Sequence, residues 1–264
     1  MGSDLGNFLR TRRAALSPGD MGLAAGPVRR RVRGLRREEL ALLAGISVDY
    51  YVRLEQGRTR NVSDAVIDSV ADALRLDPDE RSYLRHLVRP PRRNSGRAAA
   101  QRVRPGLWRL MEQLRDAPAV VLGRRLDVLA WNGAAAAVLD DFAARPAEER
   151  NFARLVFAPD DDGGGRPRFD DATAEEVVSA LRVSAARHPD DPGLTALIDE
   201  LDRDSGRFHR LWSSGTVRRR PHGPRTVHHP VRGTLTMRLE TLTLPDDPDQ
   251  TLLTYMNEPA TEGA

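Results

Sequence analysis

Residues 37–57 read Arg37-Glu-Glu-Leu-Ala-Leu-Leu-Ala-Gly45-Ile-Ser-Val-Asp-Tyr-Tyr-Val-Arg-Leu-Glu-Gln-Gly57, and this stretch decides the fold of the N-terminal part. Two short helices that cross closely need a small residue at the crossing, which Ala41 supplies. The turn between them needs a residue that accepts positive φ, which Gly45 supplies four positions later. Ser47 follows as the N-cap of the second helix, and Gly57 stops that helix from the C-terminal side. Leu40, Ala44, Ile46, Tyr51 and Leu54 fall on the shared apolar side. The pattern is a helix-turn-helix.

That register fixes the outward face. Ser47, Val48, Asp49, Val52 and Arg53 project from the N-terminal half of the second helix, the part that enters a major groove, with Tyr50 at the groove edge. An arginine can bond guanine bidentately, an aspartate can accept from cytosine, and a valine can touch a thymine methyl. Arg36, Arg37, Arg58 and Arg60 flank this face, and Arg37 sits where a phosphate is expected. Arg29, Arg30, Arg31 and Arg33 precede the motif and suit phosphates or a minor groove. The partner expected is a double-stranded DNA operator. One recognition helix offers few base contacts, so a homodimer on a palindrome is expected.

Working outward, helical periodicity covers the rest of the first third. Ser3 can cap a helix bearing Leu5, Phe8, Leu9 and Leu16. Arg36 to Ala44, Val48 to Gln56 and Asp64 to Leu74 are three more. A fifth opens at Asp77-Pro78 with Glu80 closing a capping box. Residues 1–89 thus form an all-α, five-helix DNA-binding domain. Residues 90–104, beginning Pro90-Pro91-Arg92-Arg93-Asn94-Ser95-Gly96, form a basic Pro/Gly linker.

Charge divides along the same line. Residues 1–104 hold 21 arginines against 12 carboxylates, a net +9, and residues 105–264 hold 20 against 26, a net −6. The chain has no lysine and no cysteine, which excludes disulfides and thiolate metal sites. No apolar run approaches the roughly 20 residues of a bilayer span, so no membrane partner is expected and a cytoplasmic location is.

Past the linker the period changes. Pro105 to Arg115 reads as a helix, and Ala119 to Trp131 as two strands around Gly123-Arg124. Asn132 caps a helix to about Ala144, and Thr173-Ala-Glu-Glu176 is a capping box for a helix to about Ala186. Asp191-Pro192 opens another helix, and Phe208 to Trp212 a short one. Gly215–Arg220, Arg225–Val231, Thr234–Leu244 and Thr251–Asn257 read as strands. The fold class is α+β, and the second domain, 105–258, carries an antiparallel sheet.

Trp131, Trp212, Met237 and Tyr255 are candidate walls of a ligand cavity there, with Asn132, His228 or Arg238 for a polar group. For any one aromatic, ordinary core packing is the better reading. His209, His222, His228 and His229 lack the spacing of a metal site, so neither metal nor cofactor is expected. No Walker, G-x-G-x-x-G or G-x-S-x-G sequence is present, and Gly163–Gly165 follows aspartates that repel phosphate. An enzyme is not expected. The remaining alternative keeps the DNA domain and makes the second domain a protein-interaction module without ligand.

Ala-Gly-Ile-Ser-x-x-Tyr-x-x-Arg-Leu-Glu-x-Gly at 44–57 resembles the λ-repressor-like, XRE-type regulators. The string Leu35 to Arg58 and the insert Ser17-Pro-Gly-Asp-Met-Gly-Leu are similar to one branch, the MmyB-like regulators. The resemblance continues at Asp127-Val-Leu-Ala-Trp-Asn132, Arg187-His-Pro-Asp-Asp-Pro192, His229-Pro230 and Leu244-Pro-Asp-Asp-Pro248. It implies a transcriptional regulator with a PAS-like C-terminal domain binding a small apolar ligand, fatty acids being the reported type. One departure stands out: Ala158 to Phe169 replaces a segment that usually follows Asn151-Phe-Ala-Arg-Leu, which puts pocket shape and ligand in question.

Overall fold

The computed structural model describes residues 4–22, 34–59, 61–89, 101–159, 165–215, 217, 222–245 and 247–257. Contacts divide the chain into two compact units. One is Met1–Arg93 with Ala186–Pro189 and Leu211–Arg218; the other is Asn94–Ala185 with Asp190–Arg210 and Arg219–Ala264.

The first unit holds five helices: α1 (Asp4–Ala15), α2 (Arg37–Leu43), α3 (Val48–Glu55), α4 (Asp64–Ala73) and α5 (Pro78–Val88). Their ends are set by local chemistry. At the end of α2, the Ile46 N–H bonds Ala41 O at 3.0 Å and the Gly45 N–H bonds Leu42 O at 3.1 Å. Gly45 has φ +64, so this is a Schellman turn. Gly57 repeats the device after α3, with φ +67 and its successor Arg58 bonded back to Arg53 O at 2.9 Å. Ser47 Oγ accepts from the Tyr50 N–H at 3.2 Å. Asp77 and Glu80 form the expected capping box. Leu40, Ala41, Tyr51, Leu54, Ile67 and Leu84 are buried in the core, and Phe8 meets Tyr83 edge-on at 5.1 Å. Along α4 and α5 a ladder of ion pairs joins Asp64 to Arg89 at 2.9 Å, Asp68 to Arg85 at 2.5 Å, and Asp72 to Arg81. Ser3 lies outside the described residues.

The second unit is built on one antiparallel sheet, order β2-β1-β6-β5-β4-β3. Its strands are β1 (Ala119–Leu122), β2 (Val128–Trp131), β3 (Arg168–Phe169), β4 (His222–His229), β5 (Gly233–Leu244) and β6 (Asp247–Asn257). The helices are α6 (Pro105–Gln113), α7 (Gly133–Val138), α8 (Phe152–Val156), α9 (Asp171–Arg187), α10 (Pro192–Asp204) and α11 (Gly206–Ser213), of which α9 and α11 end within the first unit's short stretches. The α+β expectation therefore holds. Central strand β1 is buried at all four residues. One sheet face, Ala119, Val121, Ala130 and Leu252, packs with Leu107 and Met111 of α6. Pairing places Arg225 opposite Met237 and Leu239 opposite Tyr255. These four are buried on the other face.

Several expected boundaries move. The α7 helix ends at Val138, because Asp141 caps a separate turn by accepting from Ala143 N at 3.2 Å. The cap of α9 is Asp170, whose Oδ1 accepts from Thr173 N at 2.8 Å, so Thr173 lies inside the helix. Of the expected strand Gly215–Arg220, Gly215 and Val217 lie outside any strand, Gly215 with φ +68, and 216 and 218–220 lie outside the described residues. Strand β4 stops at His229, whose Nδ1 accepts from the Val231 and Arg232 N–H groups at 3.1 and 3.0 Å and fixes a turn. The two-residue β3 was too short to read from sequence.

Candidate nucleic-acid interface and ligand region

The helix-turn-helix begins with an ion cluster beneath it. Tyr51, Leu54 and Glu55 form the buried stripe of α3. A carboxylate on that stripe needs partners, and it has two. Arg37 donates to Glu55 Oε1 from Nε at 3.1 Å and Nη2 at 2.7 Å, while Arg13 Nε donates to Oε2 at 3.3 Å. Arg13 also donates to Leu35 O at 2.6 Å, so α1, the approach to α2, and α3 are tied through one side chain. Burial alone would raise the Glu55 pKa; the hydrogen bonds and charges of Arg37 and Arg13 outweigh it and hold it below the ordinary glutamate value. Sequence reasoning missed Glu55, although its place on the buried stripe was a readable signal.

The outward face of α3 is laid out as the register required. Asp49 and Arg53 are exposed, Val48 is 40% exposed, and Tyr50 and Val52 are half-buried. Asp49 and Arg53 form an i,i+4 pair at 3.0 Å. An exposed pair of this kind is worth only about 0.3–0.5 kcal/mol, so exchanging it for base edges costs little. Ser47 spends its hydroxyl on the helix cap. Arg36 and Arg58 are exposed, with the Arg36 N–H bonded to Glu39 Oε2 at 2.7 Å. Arg37 differs from expectation, since its guanidinium is engaged by Glu55 and only partly faces solvent. Arg29, Arg30, Arg31, Arg33 and Arg60 lie outside the described residues.

Of the six residues expected to line a cavity, Trp131 and Asn132 share one groove and the other four do not line it. Met237 and Tyr255 are buried in the sheet core; burial raises the Tyr255 phenol pKa, and its hydroxyl finds no partner among the described residues. Trp131 lies on edge strand β2, half-buried, with Phe142 at 5.5 Å and the Arg150 guanidinium at 5.2 Å. It lines a groove of about 420 Å³ with Asn132, Trp108 and Met111. Trp212 falls in the stretch that clusters with the first unit. His228 and Arg238 are exposed on the face opposite Arg225, and His228 Nδ1 meets Thr234 Oγ1 at 3.0 Å.

Asn132 is corrected from a ligand group to a clamp. Its Oδ1 accepts from Ala119 N at 3.0 Å and Ala135 N at 2.9 Å, and its Nδ2 donates to Leu114 O at 2.7 Å and Ala117 O at 2.8 Å. Every polar valence is engaged by backbone. Asn151 does the same before α8, donating to Arg125 O at 2.8 Å and accepting from Ala153 N at 3.0 Å. Two further features were not read from sequence. Arg225 is almost wholly buried, and a larger cleft of about 990 Å³ opens among α8, β3, α11 and the β4–β5 turn. Among the described residues no helix is long and apolar enough to cross a membrane.

Comparison with known families finds two matches. The model of a helix-turn-helix domain matches residues 4–84. That of the MmyB-like transcription regulator ligand binding domain matches residues 103–264. No curated protein matches the chain.

Proposed function

Because the chain belongs to the family of MmyB-like transcription regulators, and so is a DNA-binding regulator with a small-molecule domain, we propose how it works: as a homodimer on a palindromic operator, with a small apolar ligand such as a fatty acid adjusting its affinity. The exposed side of α3, with Val48, Asp49 and Arg53 outward and Tyr51 and Leu54 buried, is the single observation that carries the DNA half. Arg53 reads guanine, Asp49 accepts from cytosine and Val48 meets a methyl group. Arg36 and Arg58, with Arg29, Arg30, Arg31, Arg33 and Arg60, follow phosphates and set register. Arg37 acts mainly through Glu55, holding α2 against α3.

The strand order β2-β1-β6-β5-β4, with helices between β2 and the C-terminal strands, supports a PAS-like reading of the second domain. We read the chain as non-enzymatic and cytoplasmic. For a ligand to regulate, it must bind the DNA-competent and DNA-incompetent states with different affinity. Native mass spectrometry with and without operator DNA tests the proposal: two chains per duplex, and an added mass of lipid size, are expected. A one-to-one complex would refute the dimer.

A further inference from the structure

We propose that α6 is the seam between two copies of this chain, packed antiparallel with Trp108 on the two-fold axis. The proposal rests on the homodimer reading above and adds the surface that makes the dimer.

The α6 helix packs Leu107 and Met111 against Ala119, Val121, Ala130 and Leu252 of the sheet. Residues four apart share a flank of a helix, so Arg104, Trp108 and Glu112 form one row beside that buried stripe. Trp108 is 40% exposed. Its side chain and that of Glu112 make no hydrogen bond, ion pair or ring contact among the described residues. An open tryptophan ring is a large apolar area, and covering it is favourable. The groove of about 420 Å³ runs beside this row, lined by Met111 and, from the start of α7, by Gly133. A Cβ at Gly133 would meet no atom within 4 Å, so that wall stands open.

A second copy answers each of these features. With the axis at Trp108, the two tryptophan rings meet. Four residues away, Glu112 faces the second copy's Arg104, and Arg104 faces the second copy's Glu112. An arginine has five donors, so Arg104 can take this carboxylate in addition to the contact it already makes. Three residues from the axis, Pro105 of each copy lies over Met111 of the other, at the groove. Protrusion and recess thus sit on one helix, as an isologous contact requires. A small molecule in the groove would leave Glu112 and the rest of the row unanswered.

The position of α6 in the chain favours the same occupant. The 15 residues from 90 to 104 lead into it, and a segment of that length spans at most ~50 Å. With the axis at Trp108, the two Arg104 positions lie roughly 12 Å apart along the helices. Both segments then begin near the axis, within reach of half-sites about 34 Å apart.

Sedimentation equilibrium of the full chain, with circular dichroism, tests this on Trp108→Glu, Glu112→Arg and Arg104→Glu. All three side chains are exposed, so the variants should keep the wild-type spectrum. The wild type should dimerise, and Trp108→Glu should weaken the dimer at least thirtyfold. Each charge reversal should weaken it about tenfold, because two attractive pairs become repulsive. An equal mixture of the Glu112→Arg and Arg104→Glu chains should recover wild-type affinity within threefold, since their heterodimer sets arginine against glutamate at both ends. If all three variants dimerised as tightly as the wild type, the seam would fall while the homodimer stood. A mixture that failed to recover would overturn the axis at Trp108. A wild type that stayed monomeric with and without operator DNA would remove both readings.

Discussion

Arg37 grips the buried Glu55 through two nitrogens, at 3.1 and 2.7 Å, and by doing so fixes the angle at which α3 leaves α2. The Glu55 side chain is 2% exposed and Arg37 45%. Removing the carboxylate's charge strands Arg13 and Arg37. Glu55→Gln should cost about 2–3 kcal/mol, below the 3–5 of a fully buried pair because Arg37 reaches water. The pKa of Glu55 is depressed in the folded state. Its contribution is therefore present above the unfolded glutamate value, near 4.3, and lost as pH falls through the folded value. Urea titrations from pH 7 to 3 should show that acid loss in the wild type and a shallower one in Glu55→Gln.

Asn132 joins the end of α6, strand β1 and the start of α7 through four short hydrogen bonds. Asn132→Ala leaves two N–H and two C=O groups to find other partners, at about 1–3 kcal/mol for each that stays buried and unpaired. A loss of about 2–4 kcal/mol from the second unit is expected, read by thermal denaturation. Asn132→Ala at wild-type stability would return Asn132 to the list of ligand groups.

Arg75 follows α4 in the left-handed region, φ 50, as the C′ residue of a Schellman turn, with Leu76 N bonded to Ala71 O at 2.9 Å. An L-residue there costs roughly 1–2 kcal/mol, and glycine returns part of this in chain entropy. Arg75→Gly should raise stability by about 0.5–1 kcal/mol in chemical denaturation.

The basic surface of the DNA domain sets a salt dependence. If a dimer neutralises about 8–10 phosphates, log K should fall against log salt with a slope near −7 to −9. Fluorescence anisotropy between 50 and 300 mM salt measures it. A slope near zero would remove phosphate contacts from the account.

The helix-turn-helix was legible because its demands are local: a positive-φ glycine at 45, a cap at Ser47, a stop at Gly57. Each is decided within five residues. The second unit was legible in its longer strands and in the caps at Asn132 and Asp191, but not in the cap of α9, in β3 or in its site. Alternation along β4 and β5 tells which residues share a face, yet not which strands neighbour it. Met237 and Tyr255 thus proved to be core, and Trp131 an edge residue. Residue type also misled at Asn132, whose amide serves backbone, and at Arg37, whose charge serves Glu55.

The central claim is that the outward face of α3 reads base sequence. Selection of binding sites from randomised duplex DNA, run in parallel for the wild type and Arg53→Ala, tests it most directly. The account predicts that the wild type enriches two inverted half-sites. Arg53→Ala should keep their spacing and lose preference at one position in each, a discrimination of about 1–3 kcal/mol. A selection in which Arg53→Ala enriched the same sequences as the wild type, base for base, would contradict it.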